Sequence, residues 1–403
     1  MKGECSFRDY RWVMMGFLIP ALLLLGNFSA YAGKVRGVSD DTIKVAVLVD
    51  LTGPAAQSST PYRNAFRDYF GHLNEQGTIN GRKIKLVVED DRYSIPVALA
   101  AFKKVIFRDK VFAMFGPSGT GHTVALFKLV QKNKIPNFTQ STSEAIINPF
   151  KRYLFTTGAS YQDQFKVIFD YIAKDLKAKN QKIAYVGPDN EFGKVGLRAS
   201  IKRAKRYGLN FRNEVLNFGS MDATTQVLSL KRARVKIVVI NEIAQAGVAF
   251  LRDARKYGLT GTFIISDVGC DGDTLRMSGQ SARGLLGSSN FNPWHMDTPG
   301  MVELRKVALK NRSKVKSLMR QYVHGWVAGM VLEEGIKKAG RDLDEDGLIM
   351  ALESMKDFDT KGLSGLISFS SDNHKGGKYY RLFKADIEKN AFNPITEWRK
   401  PVK

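Results

Sequence analysis

Residues 43–54 read IKVAVLVDLTGP, an apolar run with a single lysine that passes into a loop holding Gly53 and Pro54. A strand that is apolar on both faces is typical of a parallel sheet covered by helices on its two sides. The layout returns at residues 182–193, KIAYVGPDNEFG, where an apolar strand again enters a loop with glycine and proline and then a helix. The repetition predicts two similar α/β lobes.

Helical and strand patterns alternate outward from these two stretches. In the first half, helical patterns cover 62–73, 97–107 and 124–130, and strand patterns cover 84–88, 111–115 and 135–138. In the second half, helical patterns cover 161–176, 194–206, 222–231 and 244–256, and strand patterns cover 183–186, 211–216, 237–240 and 263–266. Further helices are predicted at 298–309, 317–338 and 345–355, before strand-like pieces at 365–369 and 379–383. This order predicts an α/β fold of two Rossmann-like lobes, each a mostly parallel sheet flanked by helices.

The first 32 residues predict a secretory signal peptide. Three basic residues precede an apolar run at 13–26, and Ala30-Tyr31-Ala32 has the small residues of a cleavage site. The run is shorter than the ~20 residues that a membrane-spanning helix needs, which disfavours the alternative of an uncleaved anchor. We therefore expect export, cleavage after Ala32 and a soluble mature chain.

The chain is strongly basic, with 62 Lys and Arg against 39 Asp and Glu and a net charge of +23. Residues 1–32 hold three of these basic and two of these acidic residues, so the mature chain would carry +22. Such a charge favours anionic ligands or membrane surfaces, whereas an ordinary solvated basic surface is the simpler interpretation. Export and the lack of a nucleic-acid motif argue against a nucleic-acid partner. Cys270 is the only cysteine after residue 32, which excludes an intrachain disulfide in the mature chain.

The stretch FGPSGTGHT, residues 115–123, nearly matches the phosphate-binding pattern G-x-x-x-x-G-K-[ST], but His122 replaces the lysine. The missing lysine disfavours a nucleotide. A glycine-rich turn into a helix still presents backbone N–H groups at the positive end of the helix dipole, which suits a carboxylate as well as a phosphate. Thr120 adds a hydroxyl group. The alternative is a plain strand-to-helix turn that binds nothing.

Hydroxyl groups also follow the strand predicted at 135–138, in the stretch TQSTS, residues 139–143. They come after the carboxyl end of a strand, where open α/β sheets bind their ligands. Ser143 alternatively caps the next helix, and the two roles are compatible.

Eight stretches, spread over about 250 residues from Ile43 onward, occur in the order typical of one known family: IKVAVLVDLTGPAAQ, EDDRYSIPVALAAFKKVI, FGPSGTGHTVA, IPNFTQSTS, FTTGASYQDQ, IAYVGPDNEFGKVG, FLRDARKYGL and GLLGSSNF. In them the chain resembles the periplasmic leucine/isoleucine/valine-binding proteins, the solute receptors of amino-acid ABC transporters. The resemblance implies the type I periplasmic binding protein fold, with two lobes joined by three crossovers. After the signal peptide predicted at 1–32, it implies a first lobe at 33–158 and 290–364, a second lobe at 159–289, and a segment at 365–403 that returns mainly to the second lobe.

The resemblance also implies which residues of the first lobe contact the ligand. Thr120, after Gly119 in the glycine-rich loop, matches the hydroxyl residue that binds the ligand carboxylate. Ser141 and Ser143 match residues that supply a backbone carbonyl and a hydroxyl group.

In the second lobe, the resemblance implies that Phe192 packs on the ligand and that Asp267 accepts its ammonium group. Core packing of Phe192 and a helix cap at Asp267 are the alternatives. One charged end held by each lobe would make binding depend on closure of the cleft.

The chain departs from the family pattern at four positions. Tyr93 and Gly119 stand where the family often has a disulfide. Ser58 replaces an aromatic residue of the side-chain pocket, and Ile243 replaces a tyrosine. We therefore expect a roomier pocket and a ligand that need not be leucine-like, with amides, urea and aromatic acids as further candidates.

The stretch from Asp342 to Glu353 fits the EF-hand pattern D-x-D-x-D-G-x5-E. Residues 348–352 nevertheless have helical spacing, so we expect Asp344 or Asp346 to cap a helix rather than bind calcium. No metal-ligand spacing, nucleophile elbow or other catalytic signature is present, and we expect no metal, no cofactor and no enzymatic activity.

Three functional hypotheses follow from the sequence. The first is a monomeric periplasmic receptor that captures a small amino-acid-like solute and delivers it to the membrane permease of an ABC transporter. The second is a ligand-binding subunit of a signalling receptor. The third, a nucleotide-hydrolysing enzyme, is opposed by His122 and by the export signal.

Overall fold

The computed structural model describes residues 35–315 and 318–402, and the predicted signal peptide lies outside these ranges. The first lobe, as we call it, contains five strands: β1 (Thr42–Val49), β2 (Lys83–Asp90), β3 (Ala113–Phe115), β4 (Asn137–Phe138) and β5 (Leu154–Phe155). They form one sheet in the order β2-β1-β3-β4-β5, and all neighbouring strands are parallel. The buried strand predicted from IKVAVLV is β1, near the centre of this sheet.

Helices α1 (Ala56–Gln76), α2 (Ile95–Lys103) and α3 (Thr120–Lys132) follow β1, β2 and β3. The core between α1 and the sheet is aromatic. Phe66 of α1 stacks on Phe115 of β3, with ring centroids 3.9 Å apart, and Phe138 of β4 lies 5.4 Å farther along. This packing explains the helical spacing of apolar residues at 62–73, because one face of α1 covers the sheet.

The second lobe, as we call it, begins with α4 (Tyr161–Lys174) and continues with β6 (Lys182–Gly187), α5 (Glu191–Tyr207), β7 (Asn210–Val215), α6 (Thr224–Arg232), β8 (Ile237–Ile240), α7 (Ala244–Lys256), β9 (Thr262–Ile265), α8 (Gly272–Ser278) and β10 (Leu286–Ser289). The strands β7, β6, β8, β9 and β10 lie side by side in this order and are parallel. The repeated strand-loop-helix layout therefore produces a second parallel sheet, as predicted.

The chain then returns to the first lobe with α9 (Pro299–Asn311), α10 (Arg320–Ala339) and α11 (Glu345–Glu353), and α10 packs along α1. It crosses again to form β11 (Arg381–Asp386) and β12 (Ala391–Pro394), which extend the second sheet in antiparallel fashion beside β10. Among the described residues, no helix has both the length and the apolarity to cross a membrane.

Helix α5 of the second lobe has a well-defined start and end. The Asn190 side chain accepts a hydrogen bond of 3.0 Å from the Gly193 backbone N–H and so starts α5. Gly208 ends the same helix with φ of +62°, in the left-handed region that glycine adopts without strain.

Gly116 is a point of close backbone approach at the end of β3. Its φ is +109°, and a Cβ atom added there would lie 1.9 Å from the backbone oxygen of Leu48 in β1. The Gly116 N–H donates to the carbonyl of Phe138, 2.8 Å away. Only glycine fits at the end of β3, where the chain passes this close to β1.

Some short elements differ from the prediction. The segment 365–369 is not a strand but forms an isolated bridge between Ile367 and Phe358, whereas the strand predicted at 379–383 appears as β11. The sequence patterns did not reveal β5, α8, β10 or β12, because two to seven residues are too few to establish a period.

Helix α11 occupies the stretch that fits the EF-hand pattern. Asp344 caps it by accepting a hydrogen bond of 2.6 Å from the Gly347 N–H, as one of the two predicted caps. Asp346 instead forms an ion pair of 3.1 Å with Arg152. Helical backbone from Glu345 onward conflicts with the extended loop that would bring six oxygens around calcium.

Addition of 1 mM CaCl2 is therefore expected to leave the thermal unfolding midpoint unchanged within about 1 °C, because a ligand raises stability only by binding the folded chain. Differential scanning fluorimetry with and without EGTA measures this. Addition of MgCl2 at the same ionic strength is the control, and a calcium-specific rise would contradict our interpretation of α11.

Candidate functional site

The loops after the carboxyl ends of strands in both sheets meet around a cavity of about 50 Å³, which we call the cleft. Its walls include Ser58, Tyr93, Gly119, Thr120 and Gln140 of the first lobe, Tyr161, Phe192, Phe218, Ile243 and Val268 of the second lobe, and Arg320, Gln321 and His324 of α10. This is the edge at which open α/β sheets bind ligands. The cleft is thus the candidate binding site.

The glycine-rich loop and the hydroxyl-rich stretch meet in the first-lobe wall. The hydroxyl groups of Thr120 and Ser141 are 2.8 Å apart and share a hydrogen bond. Thr120 is the first residue of α3, and Gly119, at the N-cap, has no side chain that could cap the first-turn N–H groups. The arrangement concentrates hydrogen-bond donors at a positive helix end, as an anion site requires.

His122 does not take the place of a phosphate-binding lysine. Its ring is buried, lies beside Tyr93 with 4.6 Å between ring centroids, and is not part of the cleft wall. A Cβ atom at Gly119 would be 2.3 Å from His122 Nδ1, so the histidine ring fills the space below the loop. The loop therefore has no side-chain cation in the position of the lysine that binds nucleotide phosphates.

The loop after β1 is held by a buried carboxylate. Asp50 accepts hydrogen bonds from the N–H groups of Gly53 and Ala55, at 2.5 and 2.7 Å. Its own N–H donates to the hydroxyl of Ser118. These bonds join the Gly53-Pro54 turn of the opening stretch to the glycine-rich loop, so the first-lobe wall is preorganised.

Aromatic rings close the cleft across the two lobes. Tyr93 of the first lobe stacks on Phe218 of the second, with ring centroids 5.0 Å apart and planes 6° from parallel. Phe192 meets Tyr161 edge to face at 5.2 Å. Ser58 and Ile243 line the same cavity as these rings, and the expectation of a roomier pocket stays a prediction.

Asp267 lies behind the cleft wall in a buried ion pair. The Arg320 guanidinium donates through Nη2 to Asp267 Oδ2, and Asp267 Oδ1 has no partner among the described residues. Burial raises the pKa of the Asp267 carboxyl, while the charge of Arg320 opposes that rise. The pair joins the end of β9 to the start of α10. The alternative role of Asp267 as a helix cap is wrong, because Asp271 caps α8.

Of the remaining predicted site residues, Ser58 and Phe192 line the cleft, whereas Ser143 does not. Ser58 reaches the cleft, although its hydroxyl bonds the carbonyl of Ala55 at 2.9 Å. Ser143 is fully buried and caps the turn at 144–146, as its alternative role predicted. Phe192 is both mostly buried and part of the wall, which combines its two proposed roles.

Glu242, at the end of β8, is a buried carboxyl that the sequence did not single out. It is fully buried, and neither carboxyl oxygen has a hydrogen-bond partner among the described residues. Burial raises the pKa of Glu242 to about 9, so the side chain is protonated at neutral pH. It lies in the second lobe next to Ile243 of the cleft wall.

A larger cavity, of about 820 Å³, is lined by Trp294, His295, Phe392 and the other side of Arg320, among others. We do not assign ligand capture to it, because it lacks the strand-end loops of the first lobe. One wall residue, Leu318, directly follows the two internal residues that the structure does not describe.

The sequence patterns do not predict three residues of the cleft wall. The family resemblance marks Tyr93 only as a position where relatives often have a disulfide, and Phe218 follows a weakly patterned strand. Arg320 had one visible signal, a charged residue at the start of a long apolar helix. These residues reach the cleft through contacts between distant parts of the chain. Local sequence patterns do not predict such contacts.

Two mostly parallel sheets whose strand ends face a shared cleft define the class of bilobed solute-binding proteins. The chain belongs to the periplasmic binding protein family, whose family model matches residues 42–391.

Similar proteins agree with this assignment. The Leu/Ile/Val-binding protein of Escherichia coli K12 is 27% identical over 276 residues, covering 66% of this chain and 72% of that protein. A branched-chain amino acid ABC transporter protein from Thermus thermophilus, solved with bound valine, is 25% identical with a TM-score of 0.84, covering 90% and 97% of the two chains. The fatty acid ABC transporter substrate-binding protein of Thermomonospora curvata, 21% identical, has a TM-score of 0.83 and covers 91% and 94%. The type I fold is therefore shared by proteins named for different solutes.

Proposed function

We propose that this chain is the substrate-binding component of an ABC transporter, which captures a small amino-acid-like solute between its lobes and delivers it to a membrane permease. The observation that carries the proposal is the cleft itself, with hydrogen-bond donors at Thr120 and Ser141 on one side and the carboxylate of Asp267 buried behind the opposite wall. The binding of valine by the similar Thermus thermophilus protein supports a zwitterionic ligand.

The two ends of a zwitterion have separate partners in this proposal. The ligand carboxylate accepts hydrogen bonds from Thr120, Ser141 and the first N–H groups of α3. The ligand ammonium donates to Asp267 Oδ1, whose hydrogen-bonding capacity is unused within the described chain. Phe192 covers the ligand side chain, with Gly119 and Ser58 beside it. Charged hydrogen bonds shielded from water are strong, so capture favours the closed form.

The proposal includes export to the periplasm with cleavage after Ala32, a monomeric mature chain, and lobe boundaries at 158/159, 289/290 and 364/365. The proposed receptor binds and releases its solute without catalysing a reaction. Sensing for a signalling receptor remains the second candidate, because closure of the same cleft serves either output. A different solute class is the third, favoured by the likeness to a fatty acid receptor.

A thermal-shift screen of the twenty amino acids, simple amides, urea and aromatic acids tests the proposal. A bound ligand at 100 times its Kd raises stability by about 2.7 kcal/mol, so the binder is identified by a rise in melting temperature. Calorimetry on the mature chain then gives the Kd. A rise with aromatic acids alone, or with none of these solutes, would rule out amino-acid capture.

Thr120→Val is expected to weaken binding of that amino acid about 30-fold, since it removes a hydrogen bond to a charged group worth about 2 kcal/mol. Thr123→Val is the matched control, because Thr123 lies one turn later in α3 and bonds only the Gly119 carbonyl at 2.9 Å. Equal affinities of the two variants in calorimetry would contradict the anion site at Thr120.

A further inference from the structure

Arg320 holds an unusual position at the start of α10. Its side chain is 6% exposed, yet it forms part of the cleft wall. Among the described residues that line the cleft, it is the only one with a permanent charge, because Asp267 lies behind the wall. A ligand in this cleft therefore meets the positive charge of Arg320 at the wall, and its ammonium reaches the buried Oδ1 of Asp267 only when the wall shifts as the ligand binds.

The hydrogen bonds of Arg320 are incomplete. Nη2 donates to Asp267, but Nε is buried and has no partner among the described residues. The guanidinium also lies over the Phe291 ring, 5.2 Å from its centroid, which fixes its plane. A guanidinium presents its N–H groups as a rigid fork that fits a carboxylate, so a free Nε–H in a cleft wall has a natural acceptor in an anionic ligand.

The neighbouring groups on the other elements do not supply that acceptor. His324 lies one turn along α10, and burial together with the charge of Arg320 lowers its pKa well below the ordinary value, which keeps it neutral. Tyr62 of α1 is buried with its hydroxyl unpartnered among the described residues, and Tyr161 of α4 has a pKa that burial raises to about 12. Both hydroxyl groups are neutral and add donors to the same region.

We propose that Arg320 binds the ligand carboxylate directly and makes a carboxylate obligatory in the solute, with Asp267 as the positioning residue that holds the guanidinium. This inference rests on the proposed function and narrows its substrate class. A zwitterion satisfies both unused atoms of the pair, since its carboxylate meets Arg320 Nε and its ammonium meets Asp267 Oδ1. An amide or urea leaves the Arg320 donor without a charged acceptor in a buried site.

The test compares each amino acid with two analogues. The probes are the twenty L-amino acids, their carboxamides, and their deaminated acids, such as L-valine, L-valinamide and 3-methylbutanoate. Thermal shifts and calorimetry are measured on the full mature chain. We expect every binder to carry a carboxylate, and the carboxamide of each binder to lose at least tenfold in affinity.

The variant Arg320→Gln/Asp267→Asn removes both charges together and so leaves no buried charge uncompensated. We expect it to bind each carboxylate at least tenfold more weakly than the wild type. The matched control is Arg203→Gln/Asp170→Asn, which neutralises a similarly buried pair between α4 and α5 whose two residues do not line the cleft. Both double variants lose stability, but only the first should lose affinity. Arg320→Lys, which keeps the charge without the fork, serves if the first double variant does not fold, and we expect at least a fivefold loss.

Three results would overturn the inference: a carboxamide that binds as well as its parent, an Arg320 variant that retains the wild-type Kd, or no binding by any probe. The proposed function is judged separately. Binding of amino acids that does not need Arg320 leaves the receptor function standing and rejects the inference. Arg320-dependent binding of the deaminated acids alone supports the inference and rejects amino-acid capture.

Discussion

Replacement of Gly116 with alanine is expected to lower the free energy of unfolding by at least about 3 kcal/mol. At φ of +109° a side chain is strained in any surroundings, and the added Cβ would lie 1.9 Å from the Leu48 carbonyl oxygen. That oxygen belongs to the interior strand β1, which pairs with β2 and β3 and cannot withdraw without loss of these hydrogen bonds. Urea denaturation followed by circular dichroism measures the change.

Gly71→Ala provides the matched control for this substitution. Gly71 lies within α1, and a Cβ atom there would meet nothing within 4 Å. Alanine is the better helix former, so we expect a gain of up to about 1 kcal/mol. A loss below about 1 kcal/mol for Gly116→Ala would show that the two strands separate more easily than their close approach indicates.

Glu242→Gln is expected to stabilise the protein by up to about 5 kcal/mol at pH 8 and to change little at pH 4. Burial raises the pKa of Glu242 from 4.5 to about 9 in the folded chain. Between these values the folded chain retains a proton that the unfolded chain has released, so the wild type loses stability as the pH rises from 4.5 towards 9. Glutamine resembles the protonated acid at every pH and removes this loss.

Denaturation of wild type and variant in parallel from pH 4 to pH 9 tests the prediction. The difference between the two isolates Glu242 from other groups, among them Asp271, whose pKa burial raises to about 7. Glu388→Gln, at an exposed position, should leave the curve unchanged. A difference between Glu242→Gln and wild type that does not grow with pH would show that the carboxyl is ionised or hydrogen-bonded in the folded chain.

Most of the fold could be predicted because its main elements are long and strongly patterned. Residues 43–49 are apolar on both faces, and such a strand has few alternatives to the middle of a parallel sheet. The antiparallel extension by β12 could not be foreseen, since four residues carry no period and their pairing depends on β11. The length of an element therefore determines whether the sequence predicts it, whatever its importance in the fold.

The candidate site was predictable in part for a related reason. Thr120 and Ser141 follow strand ends in sequence, and strand ends converge in space whenever the sheet is parallel. Arg320 and Phe218 reach the same cleft from helix and loop positions that no rule of sheet geometry specifies. Glu242 looks like an ordinary acidic residue until its burial is known, because only the folded chain removes its water.

The contact between Tyr93 and Phe218 also affects the rates at which the protein binds and releases its solute. The two rings come from opposite lobes and both line the cavity, so the lobes cannot move apart to admit or release a solute without separating this stack. Uptake would then saturate at high solute concentration, at the frequency with which the rings separate, instead of rising in proportion to collisions. The same barrier would slow escape, giving a long residence time even to a solute that is held by few bonds.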